Sequence, residues 1–164
     1  HFLWKDDERS DLLAAASAEV GAMFCGLTLI QGMLWGRPTW GVWWSWDARL
    51  TSTLVLFLIF VGYIALRSFV EDPHRRGQWS AAVGILGAIN VPIVWMSVKW
   101  WRTLHQIQSD PRDVSPVYLR GWLLNVAAFS VIALWFIWKR YEAARFERAA
   151  EHAAQAAALG GYNG

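Results

Sequence analysis

Trp35, Trp40, Trp43, Trp44 and Trp46 crowd into one span of twelve residues, Trp35-Gly36-Arg37-Pro38-Thr39-Trp40-Gly41-Val42-Trp43-Trp44-Ser45-Trp46. Indole offers a broad flat face, little side-chain entropy and one N–H donor. A connection between helices has no core to fill, so indoles gathered there either lie at a membrane surface or hold a large planar apolar ligand. Gly36 and Gly41 permit close backbone approach, and Trp43, Trp44 and Trp46 are expected to form a shallow shelf. Composition alone leaves both readings open.

His105 lies in Lys99-Trp100-Trp101-Arg102-Thr103-Leu104-His105-Gln106. Neutral imidazole is a common metal ligand, for porphyrin iron among others; an ordinary loop histidine is the plain alternative. His74 falls in a charged turn, His152 on a charged tail, and His1 is the first residue. Arg37, Arg49, Lys99 and Arg102 flank the aromatic residues, and a guanidinium pairs bidentately with a ligand carboxylate. Lipid headgroups compete for that role, as does Asp47 for Arg49. Asp47 stands just ahead of an apolar run and suits a helix N-cap, although Leu50 denies it a full capping box. Glu19 is a carboxylate inside an apolar run, a functional candidate by default; the alternative is a protonated group bonded to a helix outside this chain.

The elements that must position these residues are four apolar stretches, roughly Leu12 to Leu34, Leu50 to Val70, Trp79 to Val98 and Tyr118 to Trp138. About 20 apolar residues cross the hydrocarbon core, and backbone groups in lipid must be satisfied within the segment, so the stretches are helices. Breaks are expected at Gly36-Arg37-Pro38, Glu71-Asp72-Pro73 and Asp110-Pro111-Arg112, and a kink at Pro92. The expected fold is all-α: a polytopic membrane helix bundle with four transmembrane helices in this chain. Residues 1–138 read as the membrane domain, with the tryptophan loop at 35–51, and 139–164 as a helical cytoplasmic tail.

With the N-terminus on the cytoplasmic side, Lys5, Arg9, Arg67, Arg75, Arg76, Lys139, Arg140, Arg145 and Arg148 lie inside, while Arg37, Arg49, Lys99, Arg102, Arg112 and Arg120 lie outside. That bias follows the positive-inside rule and puts the tryptophan loop and the connection containing His105 on the same outer face. Trp79, Trp122, Trp135 and Trp138 then fit an aromatic belt, whereas the loop carries more indoles than a belt needs.

Hydrophobic residues make up 55% of the 164-residue chain and charged ones 17%, fewer charges than a water-soluble domain carries. A net charge of +2 gives no basis for binding nucleic acid. The lone Cys25 reads as a small buried hydrophobe, and no C-x-x-C-H haem-attachment motif occurs. Neither G-x-S-x-G, H-E-x-x-H nor a Walker A lysine motif is present, so the chain reads as a binding protein and not an enzyme. It opens without a secretory signal pattern and is expected to be the C-terminal part of a longer protein.

The run Trp35-Gly36-Arg37-Pro38-Thr39-Trp40-Gly41-Val42-Trp43-Trp44-Ser45-Trp46-Asp47-Ala48-Arg49-Leu50-Thr51 closely resembles the tryptophan-rich WWD signature of the haem-handling proteins of cytochrome c maturation. Its form is most similar to the haem exporter protein C family of the system I pathway. Asn90-Val91-Pro92-Ile93 and Trp100-Trp101-Arg102-Thr103-Leu104-His105-Gln106 resemble that family at the corresponding place, and the likeness covers roughly Leu12 to Trp138. Longer relatives, the lyase subunit and the system II synthetase, share the WWD segment.

The resemblance implies that haem b, non-covalent and in transit, sits over the WWD loop on the periplasmic side of the bacterial inner membrane and passes to a periplasmic haem chaperone. ABC-type transporter subunits and a small single-span subunit are the implied partners, beside membrane lipid. Two histidines flanking the loop are the implied axial ligands. His105 matches the second, and the first has no match here, as expected of an N-terminally truncated member of a family with six spanning helices. Trp35, Trp40, Trp43, Trp44, Trp46, Asp47, Arg49, Arg37, Trp100 and Arg102 are the expected haem-binding residues. A structural anchor or interaction subunit, and a haem transporter channel, are the rival readings.

Overall fold

The computed structural model describes residues 8–105 and 114–160. It contains four helices: α1 Glu8–Trp40, α2 Ala48–Phe69, α3 Pro73–Trp100 and α4 Pro116–Gly160. Each is long and apolar enough to cross a membrane, and each follows from an apolar run in the sequence. The helices run alternately up and down. α2 packs on α3 and α1, while α4 packs on α1 alone.

Local chemistry fixes the ends. Asp47 caps α2 by accepting from the Leu50 N–H at 2.8 Å, and Asp72 caps α3 by accepting from the Arg75 N–H at 2.8 Å, with Pro73 in the first turn, where its missing N–H costs nothing. Gly41 ends α1 with a φ of +78°, donating its N–H to the Arg37 carbonyl at 3.1 Å, the left-handed cap that glycine adopts without strain.

Helix boundaries depart from the sequence reading in three places. α1 continues through Gly36-Arg37-Pro38 to Trp40, so no break falls there, and Trp35, Arg37 and Trp40 ride on its last turns. Pro38 lies in the last turn, where it removes one i→i−4 bond, that to the Leu34 carbonyl, and leaves only two helical residues beyond it to disturb. α3 runs to Trp100, so Lys99 and Trp100 are helical, and α3 is assigned as helix through Pro92. α4 is continuous from Pro116 to Gly160, so the fourth apolar stretch and the helical tail expected after it form one element. The break expected at Asp110-Pro111-Arg112 lies outside the described residues, as does His1.

Three polar contacts join the helices. The buried Asn90 donates from α3 to the Ser52 carbonyl of α2 at 3.0 Å. Glu19, left open between a functional carboxylate and a protonated group bonded outside this chain, meets Arg140 of α4 at 2.5 Å. Arg67 of α2 holds Asp11 of α1 through both oxygens, at 2.6 and 2.7 Å. Such pairing satisfies charges that a low-dielectric setting penalises.

Candidate functional site

The α1–α2 connection and the segment after α3 meet at one end of the bundle. Their junction is Asp47. It is buried, 7% exposed, and both carboxylate oxygens are engaged. Oδ1 accepts from Leu50 N–H, as the cap requires. Oδ2 takes three partners: the Thr103 hydroxyl, the Leu104 N–H at 3.1 Å and His105 Nδ1 at 2.8 Å. Burial pushes the Asp47 carboxyl up, but the bonds from Leu50, Thr103 and His105 outweigh it and hold it below the ordinary carboxylate value.

An anionic acceptor at Nδ1 puts the ring proton on that nitrogen and leaves Nε2 as the lone-pair atom. The ring is also fixed from its backbone side, where His105 N–H donates to the Thr103 hydroxyl at 3.1 Å. It packs edge to face with Trp40, with centroids 4.8 Å apart and planes at 70°. Trp40 in turn meets Trp35 at 5.1 Å and 88°. Gly36 makes this possible: a Cβ there would stand 3.2 Å from the Trp40 ring and 3.3 Å from the Val42 carbonyl.

The shallow shelf that Trp43, Trp44 and Trp46 could form is not flat where Trp44 meets Trp46. Trp44 and Trp46 pack edge to face, 5.5 Å apart with planes at 83°, because perpendicular indoles satisfy their quadrupoles better than a coplanar row. The Trp44 Nε1 is buried without a hydrogen-bond partner. Trp43 and Trp46 are exposed, Trp46 to 76%, and Trp100 and Trp101 form a separate exposed pair at 5.8 Å.

The cations separate in the same way. Arg37 donates to the Gly41 carbonyl and closes the end of α1. Lys99 lies over the Trp95 ring at 4.6 Å. Arg49 makes no ion pair with Asp47 among the described residues, since His105 and Thr103 occupy that carboxylate; Arg102 is exposed. The site therefore joins Trp35, Trp40, Asp47 and His105, with Arg37 beside them. Trp43, Trp44, Trp46, Trp100, Arg49 and Arg102 form its surroundings.

Thr103 was missed by sequence reasoning. A hydroxyl two residues before a histidine is too common a pattern to single out, and only the fold brings it against Asp47. Among the described residues, no three His, Cys, Asp or Glu side chains gather into a metal-holding group.

Four apolar helices define a polytopic helical membrane protein with an aromatic cluster and a carboxylate-held imidazole at one end. Residues 1–156 match the family model described as Heme exporter protein C, and the chain belongs to the haem exporter protein C family. It is 53% identical over 127 residues to a heme exporter protein C of Bradyrhizobium diazoefficiens, covering 75% of this chain and 48% of that one. It is 46% identical over 133 residues to that of Escherichia coli K12, covering 76% and 54%. A putative cytochrome c biosynthesis ccmC-like mitochondrial protein of Marchantia polymorpha is 44% identical over 126 residues, covering 76% and 51%. The chain thus spans about half the length of these curated relatives.

Proposed function

We propose that this chain seats haem at its tryptophan end and hands it on during cytochrome c maturation. The observation that supports this most is the Asp47–His105 contact of 2.8 Å, because a carboxylate on one imidazole nitrogen orients the other toward a metal and raises its basicity. Family membership supplies the cargo, since the relatives are named for exporting haem.

In this reading His105 coordinates the iron through Nε2, and Asp47 and Thr103 hold the ring without touching the cargo. The exposed indoles offer apolar area for the porphyrin face, worth about 25 cal/mol per Å2 covered. Arg49 and Arg102 are the cations open to the propionates, with Arg37 a third once it yields the Gly41 carbonyl. The cargo is haem b, non-covalent and in transit. The tryptophan end faces the periplasm from the bacterial inner membrane, and a periplasmic haem chaperone receives the haem, with ABC-type transporter subunits and a small single-span subunit as further partners. No bond to haem carbon is made by this chain, so it acts as carrier and not enzyme.

The channel reading needs free polar groups along a path between helices, but Asn90 is bonded to Ser52 and Glu19 to Arg140. An anchor reading makes no use of the orientation given to His105. His105→Ala in the full-length protein separates carrier from anchor: the carrier loses haem loading of the chaperone in cells, while an anchor keeps it.

A further inference from the structure

At the end of the bundle opposite the tryptophans, all four helices border a cavity of about 270 Å3. Four guanidinium groups line it, those of Arg67, Arg76, Arg140 and Arg148. Three have carboxylate partners. Arg67 binds Asp11 at 2.6 Å, Arg140 binds Glu19 at 2.5 Å, and Arg148 reaches Glu151 at 3.9 Å. Among the described residues Arg76 has no ion pair, and its Nε is buried without a hydrogen-bond partner.

A buried guanidinium N–H with no acceptor carries a desolvation cost that a bound anion would remove. The planar fork of arginine fits the oxygens of a phosphate; the other three guanidiniums are offset by Asp11 and by Glu19, Glu147 and Glu151 of the lining, which leaves Arg76 as the cation open to an anion. The depth of the cavity names the source. Arg67, Arg76 and Arg140 stand where the apolar runs of α2, α3 and α4 give way to charge, the level of lipid headgroups. One wall is apolar, formed by Leu12, Ala15 and Ile64, and suits the start of an acyl chain. Basic pockets between spanning helices at this depth bind anionic headgroups.

We propose that Arg76 and the cavity it lines bind the phosphate of an anionic phospholipid headgroup. This site is separate from the haem seat and does not depend on it. The test uses the delipidated chain in neutral detergent, titrated with phosphatidylglycerol, phosphatidylcholine and inorganic phosphate, with bound species counted by native mass spectrometry. The expected result is one phosphatidylglycerol per chain, retained about tenfold less by Arg76→Gln. Arg75→Gln, an exposed neighbour outside the cavity, retains it as wild type does, and unchanged helicity by circular dichroism checks the fold. Arg76→Lys keeps the charge without the fork and falls between the two, which keeps the test valid if Arg76→Gln does not fold. Equal retention by wild type and Arg76→Gln, equal uptake of phosphatidylcholine, or binding of inorganic phosphate in preference to lipid would each overturn the proposal.

Discussion

Asp47 Oδ2 lies 2.8 Å from His105 Nδ1, across 58 residues of sequence. The same carboxylate caps α2 through its other oxygen. One side chain therefore ties the start of a spanning helix to the orientation of the imidazole, so the ring's position is set by the bundle and not by a free loop.

Asp47→Ala is expected to act twice. Loss of the cap costs about 1 kcal/mol of stability, and loss of the imidazole's partner lowers haem affinity about 10- to 100-fold. Asp47→Ser retains a capping oxygen but shortens the reach to His105, so it should recover the stability and not the affinity. Thermal unfolding and hemin titration, run side by side, check both halves. Equal affinity in wild type and Asp47→Ala would remove Asp47 from any role at the seat.

Gly36→Ala tests the approach of Trp40. Alanine improves helix propensity by about 1 kcal/mol, so α1 itself gains. The added Cβ meets the Trp40 ring at 3.2 Å and moves it off His105. The expected outcome is a melting temperature close to wild type with weaker haem binding. A change in stability with affinity intact would mean that Trp40 is helix packing only.

Trp44→Phe removes an indole N–H that is buried without a partner and keeps an aromatic ring against Trp46. Deleting an unsatisfied donor relieves a desolvation cost, partly offset by the smaller ring. Stability is expected to stay within about 1 kcal/mol of wild type, measured by thermal unfolding. A loss of several kcal/mol would show that this N–H has a partner.

Asp72 supplies a pH dependence. Its carboxyl is held below the ordinary value of 3.8 mainly by the Arg75 N–H. A depressed folded-state value means that the cap's contribution is fully present above the unfolded value and is lost as pH falls through the lower, folded one. Amide exchange at Arg75 should therefore speed up, relative to the intrinsic acid rate, only below pH 3.8, and Asp72→Asn should abolish that step. The same step in Asp72→Asn would assign it to another group.

The spans were legible because about 20 apolar residues can do little else than cross a bilayer. Their ends were less so. Gly36, Arg37 and Pro38 look like a break, yet a helix already formed carries through one more turn to Trp40 and stops where Gly41 turns left-handed. The capping role of Asp47 was readable from its place before an apolar run. Its bond to His105 was not, because no local spacing encodes a contact over 58 residues. The same holds for Glu19 and Arg140, 121 residues apart. The tryptophan cluster was plain in composition, but the perpendicular packing of Trp44 and Trp46 depends on how the rings meet.

The central claim is that His105, held by Asp47, ligates haem iron. It is tested most directly by titrating hemin into the purified chain and reading the Soret band and the iron spin state, for wild type and His105→Ala. The account predicts weak binding to wild type through one protein imidazole, conversion to a six-coordinate low-spin spectrum when free imidazole is added, and at least about tenfold weaker binding in His105→Ala. Identical spectra and affinities for the two proteins, or a tight bis-imidazole spectrum from wild type without added imidazole, would contradict it.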